Sequence, residues 1–361
     1  MKRSAFIALF LLAGFLLLGC GSSNSNSGSH LYVVNNSAGS IGIYNIQTNG
    51  SLSVSNGSPF SVGASPLCLV FSPNGKFAYS VNKGLQAINV YAVNADGTLA
   101  APTSSTNTSS TYTDSNYPTN LAIDSTGSYL YAADSGLTGN IGISIYKIDN
   151  TTGLISAGPA SLPLTFPADF LATSSSAAGF LYASVPGNGN IYAYSINSST
   201  GALTQVSAVT GPIKPTFLAF SGSGSFLLVT DNGGQAVWVY PIQSGALAAG
   251  SSYATGLNPS AIATSGSSVY ITNQNDNTIS VYAMNGAGQL GQLAGSPYKT
   301  NGSGPAAIAV SPQNNAVYVG DQATSKIDEY EIGSVNTFVS LSTFSASPLS
   351  AEGGPVWMVV H

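Results

Sequence analysis

Residues able to transfer protons, attack a carbonyl or hold an anion are scarce in this chain. Its 361 residues include 8 Lys+Arg, 13 Asp+Glu, 2 His and 2 Cys, so only 6% are charged, against about 25% in ordinary globular domains. The spacings Gly-x-Ser-x-Gly, Cys-x-x-Cys and His-Glu-x-x-His do not occur. His30 and His361 lie at the ends of the repetitive region, away from any predicted pocket. No catalytic residue can be assigned from these types and spacings.

The first candidate site consists of polar residues that recur at the fourth position of a phrase resembling Tyr-Val-Thr-Asn. They are Asn35, Asn82, Asp134, Asp231, Asn273 and Asp321, with Val185 in the remaining copy. One interpretation is a turn in which each side chain binds loop amides. The other is a polar rim that binds a cation or a sugar, because oxygen ligands suit Ca²⁺. The sequence predicts no obligatory cofactor, and Ca²⁺ is the one cation that these ligands would suit.

The second candidate site lies two residues after a recurring proline, where the repeats differ most. These positions are Cys68, Asn120, Asp169, Phe217, Ala261, Ala307 and Trp357. The following position is apolar in every copy, including Phe170, and is predicted to be core. If the variable position faces a shared channel, Asn120, Asp169 and Trp357 would form a small polar-aromatic ligand site. Packing between repeats is the alternative. Cys68 is predicted to be a buried hydrophobic residue, and Lys83 a solvated loop residue.

A repeat of about 48 residues must position these side chains. Its phrase occurs seven times, as in Tyr32-Val33-Val34-Asn35 and Tyr270-Ile271-Thr272-Asn273. Each copy contains four short strand signals separated by Gly, Asn, Asp, Ser and Pro. Both faces of the strands are apolar, as expected for sheets packed between neighbouring sheets. The pattern predicts an all-β, seven-bladed β-propeller with four-stranded blades.

The last strand signal predicts how the ring closes. Residues 355–360 form an extra copy of the proline-led strand, whereas the first repeat lacks one. The simplest arrangement places this C-terminal strand innermost in the first blade, which leaves no open sheet edge.

The N-terminal segment predicts export and a lipid anchor. Lys2 and Arg3 precede an uncharged apolar run from Ala5 to Leu18, which is shorter than the ~20 residues of a membrane span. The sequence Leu17-Leu18-Gly19-Cys20 resembles the lipobox of bacterial lipoproteins, which implies cleavage before Cys20 and its acylation. We therefore predict a signal peptide at 1–19, a lipidated cysteine and flexible tether at 20–30, and a propeller at 31–361. By analogy with lipoprotein sorting, the outer membrane is the expected location.

The repeats resemble those of the lactonase family of seven-bladed propellers, which includes 6-phosphogluconolactonase-like proteins. The Tyr-Val-Thr-Asn-like phrases and turns such as Ser72-Pro73-Asn74-Gly75-Lys76 carry the resemblance, which covers about residues 31–361. The resemblance implies the propeller fold and lactone hydrolysis. These matched residues are architectural, and a fold alone does not fix a function.

Two functions follow as expectations. Removal of residues 1–19 leaves six Lys and no Arg, whereas phosphate is usually held by Arg or Lys and protons are commonly moved by His. The favoured prediction is a monomeric, membrane-tethered binding module of the cell envelope, whose partner is an envelope protein or a carbohydrate. The alternative is a lactone hydrolase. Nucleic acid is excluded as a partner because the chain has no basic patch.

Overall fold

The computed structural model describes residues 28–100, 111–113, 117–136, 141–175, 179–335, 338–343 and 349–361. For residues 111–113, 334–335 and 338–343 only the backbone is described. The predicted signal peptide, Cys20 and most of the predicted tether therefore lie outside the described residues.

Seven antiparallel sheets of four or five strands are arranged in the predicted repeat order. Blade 1 contains β1 (His30–Asn35), β2 (Ser40–Ile46), β3 (Leu52–Val54) and β4 (Phe60–Ser61). Blade 2 contains β5 (Pro66–Phe71), β6 (Phe77–Asn82), β7 (Ala87–Val93), β8 (Leu99–Ala100) and β9 (Thr111–Thr113), with a 3-10 helix at Lys83–Leu85. Blade 3 contains β10 (Pro118–Ile123), β11 (Tyr129–Ser135), β12 (Ile141–Ile148), β13 (Ile155–Ala157) and β14 (Leu162–Pro163).

The remaining blades repeat this order. Blade 4 contains β15 (Phe170–Thr173), β16 (Phe180–Val185), β17 (Asn190–Ile196) and β18 (Leu203–Val209). Blade 5 contains β19 (Pro215–Phe220), β20 (Phe226–Asp231), β21 (Ala236–Gln243), β22 (Ala246–Leu247) and β23 (Ser251–Ala254). Blade 6 contains β24 (Pro259–Ser265), β25 (Ser268–Asn273), β26 (Thr278–Met284), β27 (Leu290–Gln292) and β28 (Tyr298–Lys299). Blade 7 contains β29 (Pro305–Val310), β30 (Ala316–Asp321), β31 (Lys326–Val335), β32 (Phe338–Thr343) and β33 (Leu349–Ser350).

The ring closes as the sequence predicts. The last strand, β34 (Pro355–Val360), pairs antiparallel with β1 and is the innermost strand of blade 1. Beyond this pairing, His30 and His361 exchange two backbone hydrogen bonds, of 2.7 and 2.9 Å. Because β1 already includes His30, the propeller begins one residue earlier than predicted. His30 is a buried strand residue, not part of the tether.

The core lies between the blades, where the apolar faces of adjacent sheets meet. The tyrosine of the recurring phrase is fully buried in six blades, and Leu228 takes its place in blade 5. Burial on both strand faces explains the apolar residues on both sides of each strand. Within the described part of the chain, no helix combines the length and apolar character needed to span a membrane.

Candidate functional site

A basin of about 310 Å³ opens at the end of the central channel where the inner strands begin. All seven inner strands or the residues that lead into them contribute to it. Its lining consists of Leu67, Thr119, Asn120, Asp169, Phe170, Thr216, Phe217, Ser260, Ala306, Val356 and Trp357, together with Lys83 from the 3-10 helix. We call this cavity the channel basin and the face on which it opens the mouth face.

An irregularity at the start of the inner strands turns side chains toward the channel. In blade 3, Pro118 pairs with Asp134 but Asn120 already pairs with Ala133, so Thr119 is the extra residue. Similar register shifts follow Pro66, Pro215, Pro259, Pro305 and Pro355. A bulge re-aims the side chain that it carries, and this explains why Thr119, Thr216 and Ser260 line the basin.

Blade 4 departs from the spacing that the sequence predicts. Phe170 pairs with Ser184 and Leu171 with Ala183, which makes Phe170 the counterpart of Asn120 in blade 3 and leaves Asp169 as the counterpart of Thr119. The prediction of Phe170 as the core residue is therefore wrong, because Leu171 occupies the buried core position. One additional residue between Pro167 and β15 moves Asp169 into the channel-facing ring.

Three aromatic side chains from different blades form the floor of the basin. The ring centroids of Phe170 and Phe217 are 4.2 Å apart, those of Phe170 and Trp357 5.3 Å, and those of Phe217 and Trp357 5.8 Å. Each ring is half-buried and lines the basin. A ligand at this position would meet an apolar aromatic surface below and threonine and serine hydroxyls around it.

Asp169 is the one carboxylate that lines the basin among the described residues. Its side chain is exposed to solvent within the channel. The surrounding channel walls still reduce its hydration, and this desolvation raises its pKa. The positive charges of Lys214 and Lys83 oppose that rise. Lys83, which the sequence predicts to be a solvated loop residue, is exposed but also belongs to the basin lining. The basin thus combines a hydrogen-bond acceptor with a nearby ammonium group.

The basin brings together Asn120, Asp169 and Trp357, as the sequence predicts. Asn120 and Trp357 also make hydrogen bonds that hold neighbouring strands together. Asn120 is 3% exposed, and its Oδ1 accepts a hydrogen bond of 2.9 Å from the backbone N–H of Leu171. The Trp357 indole N–H donates to the carbonyl oxygen of Leu69 at 3.0 Å. Asn120 therefore joins blades 3 and 4, and Trp357 offers a ligand its ring surface. Ligand binding by these residues stays a prediction.

The six polar residues of the predicted rim lie on the mouth face but are buried. Asn35, Asn82, Asp134, Asp231, Asn273 and Asp321 are 0–2% exposed. Each stands opposite the proline that begins an inner strand. A solvent-accessible rim at these positions is therefore a wrong prediction, because interblade loops cover the side chains.

The contacts of Asp231 and Asn82 support the loop-binding interpretation, whereas Asp134 and Asn273 bond hydroxyl groups within their own blades. Asp231 accepts hydrogen bonds from the backbone N–H groups of Ile213, Lys214 and Gly234, at 3.0, 2.8 and 2.9 Å. Asn82 donates to the carbonyl oxygen of Val62 at 2.7 Å. Ile213, Lys214 and Val62 precede the inner strands, so Asp231 and Asn82 fix two of the connections between blades.

No described group of three or more His, Cys, Asp or Glu side chains is placed to hold a metal ion. The Ca²⁺ hypothesis stays a prediction. Cys68 is buried, and burial raises the pKa of its thiol to about 12. It is therefore protonated at neutral pH and is a poor nucleophile, in agreement with its predicted role as a buried hydrophobic residue.

Besides the hydroxyl residues, the basin contains Phe170, Phe217 and Lys83, none of which the sequence analysis placed in a ligand site. Counting from the proline places Phe170 one position out of register, because blade 4 has an additional residue before its inner strand. The hydroxyl residues Thr119, Thr216 and Ser260, each directly after a proline, were the sequence signal for the channel-facing position.

The fold and its channel basin define the chain as a seven-bladed β-propeller with one candidate ligand cavity in its central channel. The sequence profile described as "Lactonase, 7-bladed beta-propeller" matches residues 22–177, 142–256 and 246–347. The chain belongs to this family. A search of curated proteins finds no match.

Solved structures show the same fold at low sequence identity. The periplasmic gluconolactonase of Pseudomonas aeruginosa superposes with a TM-score of 0.77 at 18% identity, covering 92% of this chain and 98% of that one. A Bacteroides fragilis protein provisionally assigned as a 6-phosphogluconolactonase gives 0.77 at 19% identity, covering 94% and 100%. Virginiamycin B lyase of Staphylococcus aureus gives 0.57 at 15%, covering 84% and 94%. Their similarity supports the fold and assigns no activity to this chain.

Proposed function

We propose that this protein is a binding module of the cell envelope whose channel basin holds a small polyhydroxylated ligand, such as a sugar or a sugar lactone. The observation that carries the proposal is the aromatic floor of Phe170, Phe217 and Trp357 beneath a wall of hydroxyl groups. Binding cavities commonly combine apolar surfaces with a few convergent polar groups.

The chemistry of a pyranose ring matches both parts of the basin. One face of such a ring presents C–H groups, which fit the electron-rich faces of aromatic rings. Its hydroxyl groups can donate to the oxygens of Thr119, Thr216 and Ser260, whose own O–H groups already contact Ala133, Thr230 and Pro305 within the protein. They can also donate to the carboxylate of Asp169. A bond to an ionised acceptor is about twice as strong as one between neutral groups, so Asp169 would contribute most to orientation.

Fluorescence of Trp357 tests the proposal directly. Trp238 is the second tryptophan of the chain, so a Trp238→Phe background leaves Trp357 as the only reporter. Titration with neutral hexoses and aldono-1,5-lactones should change the emission saturably. In a calorimetric titration, Trp357→Ala should weaken binding at least tenfold, whereas Phe166→Ala, an exposed residue outside the basin lining, should not. Equal affinities of the two variants would reject the basin as the binding site.

Lactone hydrolysis is the second candidate, favoured by the family match together with the carboxylate and ammonium groups near the basin. Asp169 would take a proton from water while the resulting hydroxide adds to the lactone carbonyl. Lys83 would stabilise the oxyanion. Opening of the ring C–O bond would then release an alkoxide that receives the proton from Asp169. One general base supplies typically 10²–10⁴-fold acceleration.

A lactone-hydrolysis panel separates the two candidates. The purified chain is assayed with Ca²⁺ and with EDTA, because Ca²⁺ stays a hypothesis. Turnover that disappears in Asp169→Asn but persists in Asp276→Asn, an exposed aspartate on a mouth-face loop, would establish catalysis and replace the binding-module proposal. Saturable binding without turnover would support the binding module.

We also propose that Cys20 is acylated and holds the protein to a membrane of the envelope, with the outer membrane as the expected one. The basic N-terminus, the apolar run and the Leu17-Leu18-Gly19-Cys20 sequence support this location. Cys20→Ser should move the protein from the membrane fraction to the soluble fraction. Unchanged fractionation would reject the anchor. We further propose that the protein is a monomer. Sedimentation of the detergent-solubilised chain tests this.

A further inference from the structure

The start of the propeller and the mouth of its basin lie on opposite faces. Strand β1 runs from His30 to Asn35, and Asn35 stands opposite Pro355 at the mouth face. His30 is therefore at the far end of the same strand, beside Gly97 and His361. The chain is fixed there, because the carbonyl oxygen of Ser29 accepts a hydrogen bond of 2.9 Å from the backbone N–H of Ile46. We call this side the seam face.

The segment between Cys20 and Ser29 is short. Its nine Cα–Cα steps span at most about 32 Å when fully extended. An acylated Cys20 would therefore hold the seam face close to the membrane.

The edge of the mouth face lies at about the limit of this reach, measured along the protein surface. The segment would first have to cross β2 and β3 to the outer edge of blade 1, about 10 Å at the usual strand spacing. It would then have to run from the seam face to the mouth face, about 20 Å, which is the length of a six-residue strand such as β1. This path consumes about 30 Å before it turns toward the channel axis. Only a nearly straight segment would reach the edge of the mouth face, and none would reach the basin.

The basin is lined at its floor by the packed rings of Phe170, Phe217 and Trp357, so a ligand enters it from the mouth face. We infer that the seam face is the membrane-proximal surface and that the basin opens away from the anchoring bilayer. The ligand class is then a water-soluble molecule of the aqueous compartment, and a lipid held in the anchoring membrane is excluded. This inference rests on the lipid anchor of the proposed function.

Two positions of blade 6 make a matched pair for measuring the orientation. Asn275 is exposed on the loop after β25, at the mouth face, and Ala287 is exposed on the turn after β26, at the seam face. Each is replaced by cysteine in the full-length, lipidated protein and labelled with a fluorophore. Cys68 is buried and Cys20 is acylated, so labelling is confined to the introduced thiol.

Energy transfer to an acceptor on lipid headgroups is measured in vesicles that carry the labelled protein. We expect the transfer efficiency at Ala287→Cys to be at least twice that at Asn275→Cys. Equal or reversed efficiencies with vesicle-bound protein would overturn the orientation and leave the anchor intact. Failure of the lipidated chain to float with vesicles would overturn both. Ligand affinity of the basin, measured in detergent, is independent of either result.

Discussion

The hydroxyl of Tyr318 donates a hydrogen bond of 2.7 Å to the carbonyl oxygen of Gly50, which joins the last blade to the first. The same contact links successive blades around much of the ring. Its other copies are Tyr32 to Gly97, Tyr79 to Gly153, Tyr131 to Gly201 and Tyr182 to Gly245, at 2.7–3.0 Å. One interaction therefore explains why tyrosine and glycine recur together in the repeats.

Tyr318→Phe should destabilise the propeller by about 1 kcal/mol, because it removes one buried hydrogen bond and leaves the Gly50 carbonyl without that donor. Chemical denaturation measures the difference. Tyr192→Phe is the control, since its hydroxyl accepts surface hydrogen bonds from Asn188 and Asn190, and its effect should be within about 0.5 kcal/mol. Equal losses in the two variants would contradict the assigned role.

The repeat pattern was sufficient to predict the seven blades, the burial of both strand faces and the innermost position of β34. These features depend on the alternation and spacing of apolar residues, which are local properties of the sequence. The position of Phe170 was not predictable by counting from Pro167, because the additional residue in blade 4 becomes visible only in the pairing with Ser184. The burial of Asp231 beneath the Ile213 loop likewise depends on contacts between blades.

Deletion of residues 355–361 should abolish cooperative unfolding or lower the melting temperature by more than 10 °C. The deletion removes β34, exposes the paired edge of β1 and uncovers the core around Met358. Differential scanning calorimetry of the full and shortened chains makes the comparison, with deletion of His361 alone as a milder control. An unchanged melting temperature would be incompatible with closure by β34.

Asp321→Asn should stabilise the protein at pH 8 more than at pH 5. Burial, and then the charge of Asp328, raise the pKa of Asp321 to about 8, whereas an unfolded aspartate titrates near 3.9. The folded state therefore binds the additional proton between these values, and stability contributed by Asp321 falls as pH rises from about 4 to about 8. Asparagine does not titrate, so Asp321→Asn removes this dependence of stability on pH. Blade 6 already carries an asparagine, Asn273, at the equivalent position.

The control for that experiment is Asp231→Asn. Asp231 accepts three backbone N–H bonds with its two oxygens, and an amide has only one acceptor oxygen, so this variant should lose stability at both pH values. Urea denaturation at a series of pH values gives the difference from the natural chain. A constant difference for Asp321→Asn across pH 4–8 would show that Asp321 does not carry the proton.

Asp169 should make ligand binding depend on pH. A ligand hydroxyl donates best to the ionised carboxylate, so affinity for a neutral hexose should fall, by about tenfold or more, as pH is lowered through the pKa of Asp169. Burial raises that pKa and Lys83 opposes the rise. Lys83→Met should therefore move the loss of affinity to higher pH, while Asp169→Asn should bind weakly and show no such transition.

Calorimetric titrations from pH 4 to pH 8 distinguish the three proteins. A flat profile for the natural chain, or the same transition in Asp169→Asn, would exclude Asp169 as the acceptor and leave the aromatic floor as the part of the basin that holds the ligand.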